Sequence, residues 1–169
     1  VIVSTESKKI AKISEYYGAE IPFLRPIKLA DSRSSTIAVI KHAIKNLLIN
    51  INKNIKICCI YPATPMLNKK LLMYSLKKFN KQKADFSVTL LESRSRDKKK
   101  FYINKAGFLK KIRKNSKKNP SFSDAGQFYW GKSNSFMKYK SIFSGKVTPI
   151  PLKKNQAIDV NTHADWKKL

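Results

Sequence analysis

Short apolar runs, each followed by a segment of helical periodicity, repeat along the first half of the chain. This alternation constrains the fold more than any other feature. Val1–Val3 reads as a strand. A helix follows, with Ser4 or Thr5 as cap, Ile10, Ile13 and Tyr17 on one face, and Gly18 at its end. A second helical pattern runs from about Ser35 to Leu48, with Ile37, Ile40, Ile44 and Leu47 in phase. Ile55–Tyr61 (IKICCIY) is a short buried strand stopped by Pro62 and Pro65. Asn68 opens a helix carrying Leu72, Ser75, Leu76 and Phe79, and Phe86–Leu91 (FSVTLL) is another strand. The order predicts βαβ units in an α/β fold with a mostly parallel sheet. Such sheets bind ligands beyond the carboxyl ends of their strands, which directs attention to Ser4–Thr5 and Tyr61–Pro65.

Residues 94 to 118 have a different character. They hold twelve basic residues and one acid, Asp97, around a small two-stranded excursion, Phe101–Ile103 and Phe108–Lys110, that turns at Lys105–Gly107. Solvated lysines are the simpler reading, and a patch that attracts a polyanionic substrate is the sharper one. Beyond lie SFSDAGQFYWG, a short helix near Ser133–Tyr139, a strand at Val147–Pro151 and a final element, AIDVNTHADWKKL. No internal repeat or dividing linker interrupts residues 1–169, which read as a single domain.

Composition then narrows the function. Lys and Arg number 36 against 10 Asp and Glu, a net charge of +26, which by itself suggests nucleic acid. Only Arg25, Arg33, Arg94, Arg96 and Arg113 are arginines, however, and arginine is the usual tool for bidentate phosphate and base contacts. Lys, Ile and Asn in joint excess fit drift under an AT-rich genome. With 5 scattered glycines the chain holds no Walker loop or dinucleotide fingerprint. No apolar run reaches the ~18 residues of a membrane-spanning helix. Cys58 and Cys59 are adjacent in an apolar run, which excludes a disulfide scaffold and a four-ligand zinc site and suits a reducing cytoplasm. His42 and His163 are too few for a histidine-based metal site.

Four segments carry polar residues where an α/β sheet would expose them. In PFLRPIKLADSRSST, Pro22 and Pro26 hold the chain extended around Arg25, whose guanidinium could fork onto a phosphate or lie on the surface. Ser32, Ser34, Ser35 and Thr36 could cap the next helix, whose N-terminus could also receive an anion. CCIYPATPML is a strand with a proline-rich turn, and its thiols read as core. In SDAGQFYWG, Asp124 and Gln127 sit among aromatic residues, as in the lining of a small-molecule pocket. In IDVNTHADW, Asp159 and Asn161 lie two apart, so both oxygens can face one side and suit Mg²⁺ shared with substrate phosphates. Thr162 and Asp165 form a T-x-x-D helix start, with His163 in its first turn.

These segments, in this order, resemble the acylneuraminate cytidylyltransferase family, which makes CMP-activated sialic acids. VSTESKKIAKISEYYGAEIPFLRP (Val3–Pro26) looks like the family's VSTDxxxIAxxAxxYGAxxPFLRP stretch. CCIYPATPML, FSVT (Phe86–Thr89) and DAGQFYWG (Asp124–Gly131) look like the CMP-pseudaminic acid synthetase branch, and IDVNTHADW resembles the terminal DIDTxxDW. The resemblance implies a Rossmann-like nucleotidyltransferase, with Arg25 on the nucleotide and Asp159 as Mg²⁺ ligand and catalytic residue. It implies Asn161 in place of the second metal carboxylate, and Tyr61, Asp124, Gln127 and Tyr129 around the sugar acid. The family's opening strand and its ARxGSKxxxxKN phosphate loop have no counterpart in these residues. The chain is therefore expected to be the carboxyl-terminal part of such an enzyme, short by about 50 residues and inactive alone.

The expected partners are CTP and a nine-carbon sugar acid, with Mg²⁺ as cofactor, in a cytoplasmic homodimer that engages neither a membrane nor a specific nucleic acid. The rival readings are a basic RNA- or DNA-binding protein and an inactive fragment of the enzyme. The first would show a single lysine-rich face and a steep salt dependence.

Overall fold

The computed structural model of the chain describes residues 1–31, 33–47, 53–93, 99–112, 120–157 and 166–167. Among the described residues, six strands form one sheet: β1 (Lys56–Ile60), β2 (Phe86–Glu92), β3 (Phe101–Ile103), β4 (Leu109–Lys111), β5 (Phe122–Lys132) and β6 (Val147–Pro151). The helices are α1 (Lys8–Tyr16), α2 (Thr36–Asn46), α3 (Lys69–Lys81) and α4 (Ser133–Lys138). β5 arises from SFSDAGQFYWG, for which the sequence pattern predicts no element, but the α/β class and most elements follow that pattern.

Strand direction does not, and the expectation of a mostly parallel sheet is corrected. Among the named strands, β2 and β6 form a parallel pair, whereas β1–β5, β2–β5, β3–β4 and β3–β5 are antiparallel. The cause is β5. Its Tyr129 pairs with Cys59 of β1 on one side and with Val88 of β2 on the other. The strands β1 and β2 thus run the same way, as a unit joined through α3 requires, but β5 enters between them in the opposite sense. Val1–Val3 contributes only an isolated parallel bridge, Ile2 to Glu20.

Local chemistry explains the helix starts. Ser35 caps α2 by accepting from the Ala38 N–H, and Asn68 caps α3 by accepting from the Leu71 N–H. At α1 the cap is Ser7, which accepts from the Ile10 N–H, and not Ser4 or Thr5. Thr5 is buried and its Oγ1 accepts from the Ser7 N–H, so it shapes the approach to the helix. The stripe Ile10, Ile13 and Tyr17 stays exposed, and Ala11 is the residue that α1 buries.

Alternation along β2 divides the core. Phe86, Val88 and Leu90 join Ile37, Ile40 and Ile44 of α2 and Phe136 of α4 in one cluster. Ala125, Ile150, Leu152 and Ala157 form a second cluster with Leu71 of α3 packed against it. On the α3 side, Trp130 Nε1 donates to Ser75 Oγ at 2.9 Å and Lys78 Nζ donates to the Pro149 carbonyl at 2.9 Å. No helix among the described residues is long and apolar enough to cross a membrane.

One irregularity shapes the site. Along β2 and β5 the register jumps from Val88–Tyr129 to Leu90–Asp124, so residues 125–128 form a bulge. Gly126 turns there at φ +61°, a conformation that an L side chain rarely adopts. Thr89, fully buried, donates to the Phe128 carbonyl from within the sheet at 3.3 Å.

Candidate functional site

The bulge sets Asp124 and Tyr129 five residues apart in sequence but in hydrogen-bond contact. The Tyr129 hydroxyl donates to Asp124 Oδ2 at 2.8 Å, and the Gly126 N–H donates to Asp124 Oδ1 at 3.0 Å. Tyr61, just past the end of β1, lays its ring against Tyr129 edge-on, with centroids 5.4 Å apart and planes at 77°. The Tyr61 hydroxyl in turn shares a hydrogen bond with Thr36 Oγ1, at the first residue of α2. A line of polar groups therefore runs from the start of α2, through Tyr61 and Tyr129, to Asp124.

Electrostatics distinguish the members of this line. Burial drives the Tyr129 phenol far above its ordinary value, and the neighbouring Asp124 and Tyr61 add to the shift, so Tyr129 stays a neutral donor. Asp124 reaches solvent, yet protein surrounds it closely enough that burial raises its carboxyl. The Gly126 N–H, the Tyr129 hydroxyl and the charge of Lys99 oppose that rise. A carboxylate that keeps access to solvent while bonded to a neutral tyrosine retains acceptor capacity for a further polar group.

Of the residues singled out in the sequence, Tyr61, Asp124 and Tyr129 are brought together. Gln127 belongs to the bulge: its side chain is buried and its amide donates to the Ala125 carbonyl at 3.2 Å. Arg25 is tied elsewhere. Its N–H donates to the Thr5 carbonyl at 2.8 Å, and its Nη2 lies 2.6 Å from Glu6 Oε2. The guanidinium holds the Glu6 carboxyl below the usual carboxylate range, chiefly through that hydrogen bond. Asp159, Asn161, His163 and Asp165 lie outside the described residues, as does Ser32.

The serine-rich segment before α2 divides its labour. Ser34 is turned inward on its own loop, with its Oγ donating to Asp31 Oδ1 at 2.7 Å and its N–H to the same oxygen at 2.8 Å. Ser35 caps the helix, and Thr36 reaches Tyr61. Thr36 and Glu6 are partners of the site residues that the sequence pattern does not reveal. Their bonds join positions 25 and 19 residues apart, and no local pattern signals either one.

The opposite face of β1 is apolar. A groove of about 400 Å³ there is lined by Cys58, Ile60, Leu67, Asn68, Lys69, Leu72, Met73 and Trp130. Burial pushes the Cys58 thiol up to about 12 and the Cys59 thiol up to about 11, so neither is a nucleophile near neutrality. No group of three or more His, Cys, Asp or Glu that could hold a metal occurs among the described residues.

An α/β sheet with a polar cluster of tyrosines and a carboxylate beside β1 and β5 is compatible with a nucleotidyltransferase. The sequence model of the cytidylyltransferase family matches residues 1–167, and the chain belongs to that family. It is 28% identical to the pseudaminic acid cytidylyltransferase of Campylobacter jejuni subsp. jejuni serotype O:2, over 98% of this chain and 74% of that protein. It is 27% identical to the Helicobacter pylori protein named pseudaminic acid cytidylyltransferase and UDP-2,4-diacetamido-2,4,6-trideoxy-beta-L-altropyranose hydrolase, over 95% of this chain and 32% of that one. It is also 25% identical to the CMP-N,N'-diacetyllegionaminic acid synthase of Legionella pneumophila, over 98% of this chain and 74% of that protein.

Proposed function

We propose that the protein transfers the cytidylyl group of CTP to a nonulosonic acid of the pseudaminic type, giving the CMP-sugar and pyrophosphate. The observation that carries this reading is the family match across residues 1–167, together with relatives named for pseudaminic and legionaminic acid activation. The anomeric hydroxyl of the sugar acid attacks the α-phosphorus. A C–O–P linkage forms and the bond to the β-phosphate oxygen breaks. In such transfers the protein mainly positions the reactants and balances charge.

In this reading Arg25 contacts the nucleotide. Tyr61 and Asp124 face the sugar acid, and Tyr129 and Gln127 back them. The Tyr129–Asp124 hydrogen bond and the crowding around Asp124 support this grouping. Asp159 and Asn161 would hold Mg²⁺: one carboxylate and one amide oxygen are hard donors that suit it when substrate phosphates complete the shell. When bound, the ion supplies Lewis-acid stabilisation of the phosphates. A cytoplasmic homodimer without specific nucleic-acid binding accompanies the same reading.

The test is pyrophosphate release from CTP by the intact protein with pseudaminic, legionaminic and N-acetylneuraminic acids, each in the presence of Mg²⁺. Turnover highest with pseudaminic acid is expected, and no release with any nonulosonic acid would reject the reading. Arg25→Lys should weaken CTP binding about tenfold in a calorimetric titration, because an ammonium cannot reproduce the planar fork. Equal affinity would remove Arg25 from the site.

A further inference from the structure

We propose that Glu6 is the positioning residue for Arg25, fixing its guanidinium in the orientation that receives the nucleotide. The proposal rests on the reading of Arg25 as a nucleotide contact. Two bonds join the same two segments: Arg25 N–H to the Thr5 carbonyl at 2.8 Å, and Arg25 Nη2 to Glu6 Oε2 at 2.6 Å. The first aligns the backbone of the FLRP loop with the residues just before α1. The second fixes the far end of the side chain, so the arginine is held at both ends.

The pair lies at the surface, with the arginine the more covered partner. Side-chain exposure is 22% for Arg25 and 35% for Glu6, and the loop around Arg25 is stiffened by Pro22 and Pro26. A guanidinium carries five N–H donors, and the contact with Glu6 engages Nη2 alone. The Nε donor is buried and has no hydrogen-bond partner among the described residues. Glu6 therefore orients the plane of the group through Nη2 alone. In a chain with 36 basic and 10 acidic residues, a carboxylate against the arginine that must bind a polyphosphate is a poor choice on charge alone. Its advantage is preorganisation, because a side chain already ordered loses less freedom when the ligand arrives.

The experiment compares the intact protein with Glu6→Gln, Glu6→Asp, Arg25→Ala and the Glu6→Gln/Arg25→Ala double variant. CTP affinity is measured by calorimetry, steady-state constants for both substrates by pyrophosphate release, and Tm by thermal unfolding. Glu6→Gln is expected to weaken CTP binding about three- to tenfold. The KM for the sugar acid and the Tm should stay at the parent values, and Glu6→Asp should recover part of the loss. In the Arg25→Ala background, Glu6→Gln should have no further effect. Equal or tighter CTP binding by Glu6→Gln would make Glu6 a competitor for the arginine and overturn the proposal. An undiminished loss in the Arg25→Ala background would also overturn it, by showing that Glu6 acts on something else. If Arg25→Ala itself binds CTP like the parent, the nucleotide role of Arg25 fails and the positioning role falls with it.

Discussion

Replacing Tyr129 with Phe removes one oxygen from a side chain that is 1% exposed and keeps its ring in place against Tyr61. What is lost is the 2.8 Å hydrogen bond to Asp124 Oδ2. Hydrogen bonds to charged groups contribute about 1.5–3 kcal/mol, and the lower end applies because Asp124 reaches solvent. A destabilisation of about 1.5–2 kcal/mol lowers the Tm of a chain this size by about 3–8 °C. The substitution also acts on the titration of Asp124. Burial is the largest influence there and raises the carboxyl above its ordinary 3.8, while the Tyr129 hydroxyl is one of the groups that lower it. Without that hydroxyl the folded carboxyl should titrate higher still.

The sign of the pH dependence follows from this shift. A carboxyl whose folded pKa exceeds its unfolded value binds more protons in the folded state between those two values. Stability therefore falls as pH rises through that window and levels off above it. Tyr129→Phe extends the window upward, so its deficit relative to the parent should grow from acid to neutral pH. Unfolding between about pH 4 and about pH 8 measures the deficit, and the ¹³C shift of the Asp124 carboxyl measures the titration directly. An unchanged Asp124 titration, or a deficit that is larger at acid pH, would refute the reasoning.

Two other substitutions probe separate parts of the molecule. At Gly131→Ala the new Cβ would lie 2.5 Å from Phe136 Cε2 and 2.8 Å from Phe86 Cδ1, both rings being fully buried. Overpacking of this kind costs about 2 kcal/mol, so thermal unfolding should move down by about 4–8 °C, and an unchanged Tm would show that the two rings can yield. Asp159→Ala should lower kcat by about a hundredfold or more at saturating Mg²⁺, since Lewis-acid stabilisation supplies several kcal/mol. Its far-UV circular dichroism should match the parent, and unchanged steady-state kinetics would refute the metal assignment.

The elements were legible in the residues because their signals are local. The caps at Ser35 and Asn68, the apolar phase of Ile37, Ile40 and Ile44, and the runs at Lys56–Ile60 and Phe86–Glu92 depend on neighbours a few positions away. The order of motifs was likewise enough to point to the cytidylyltransferase family, whose model spans residues 1–167. At α1 the same local reading put the cap too early. Ser4, Thr5 and Ser7 are all competent caps, and the burial of Thr5 decided between them.

Tertiary structure alone decided the direction of the sheet and the membership of the site. SFSDAGQFYWG was not legible as a strand, and nothing local in it says which edges such a strand would join. Hydrogen bonding to both β1 and β2 set β5 antiparallel between them. The bulge at residues 125–128 then carried Asp124 to the hydroxyl of Tyr129, and the end of β1 brought Tyr61 within reach of Thr36. The ion pair of Arg25 with Glu6 arises in the same way. Sequence determined which groups were available. Which of them meet depends on strand order and on a bulge, and these are settled by backbone pairing between segments far apart in the chain.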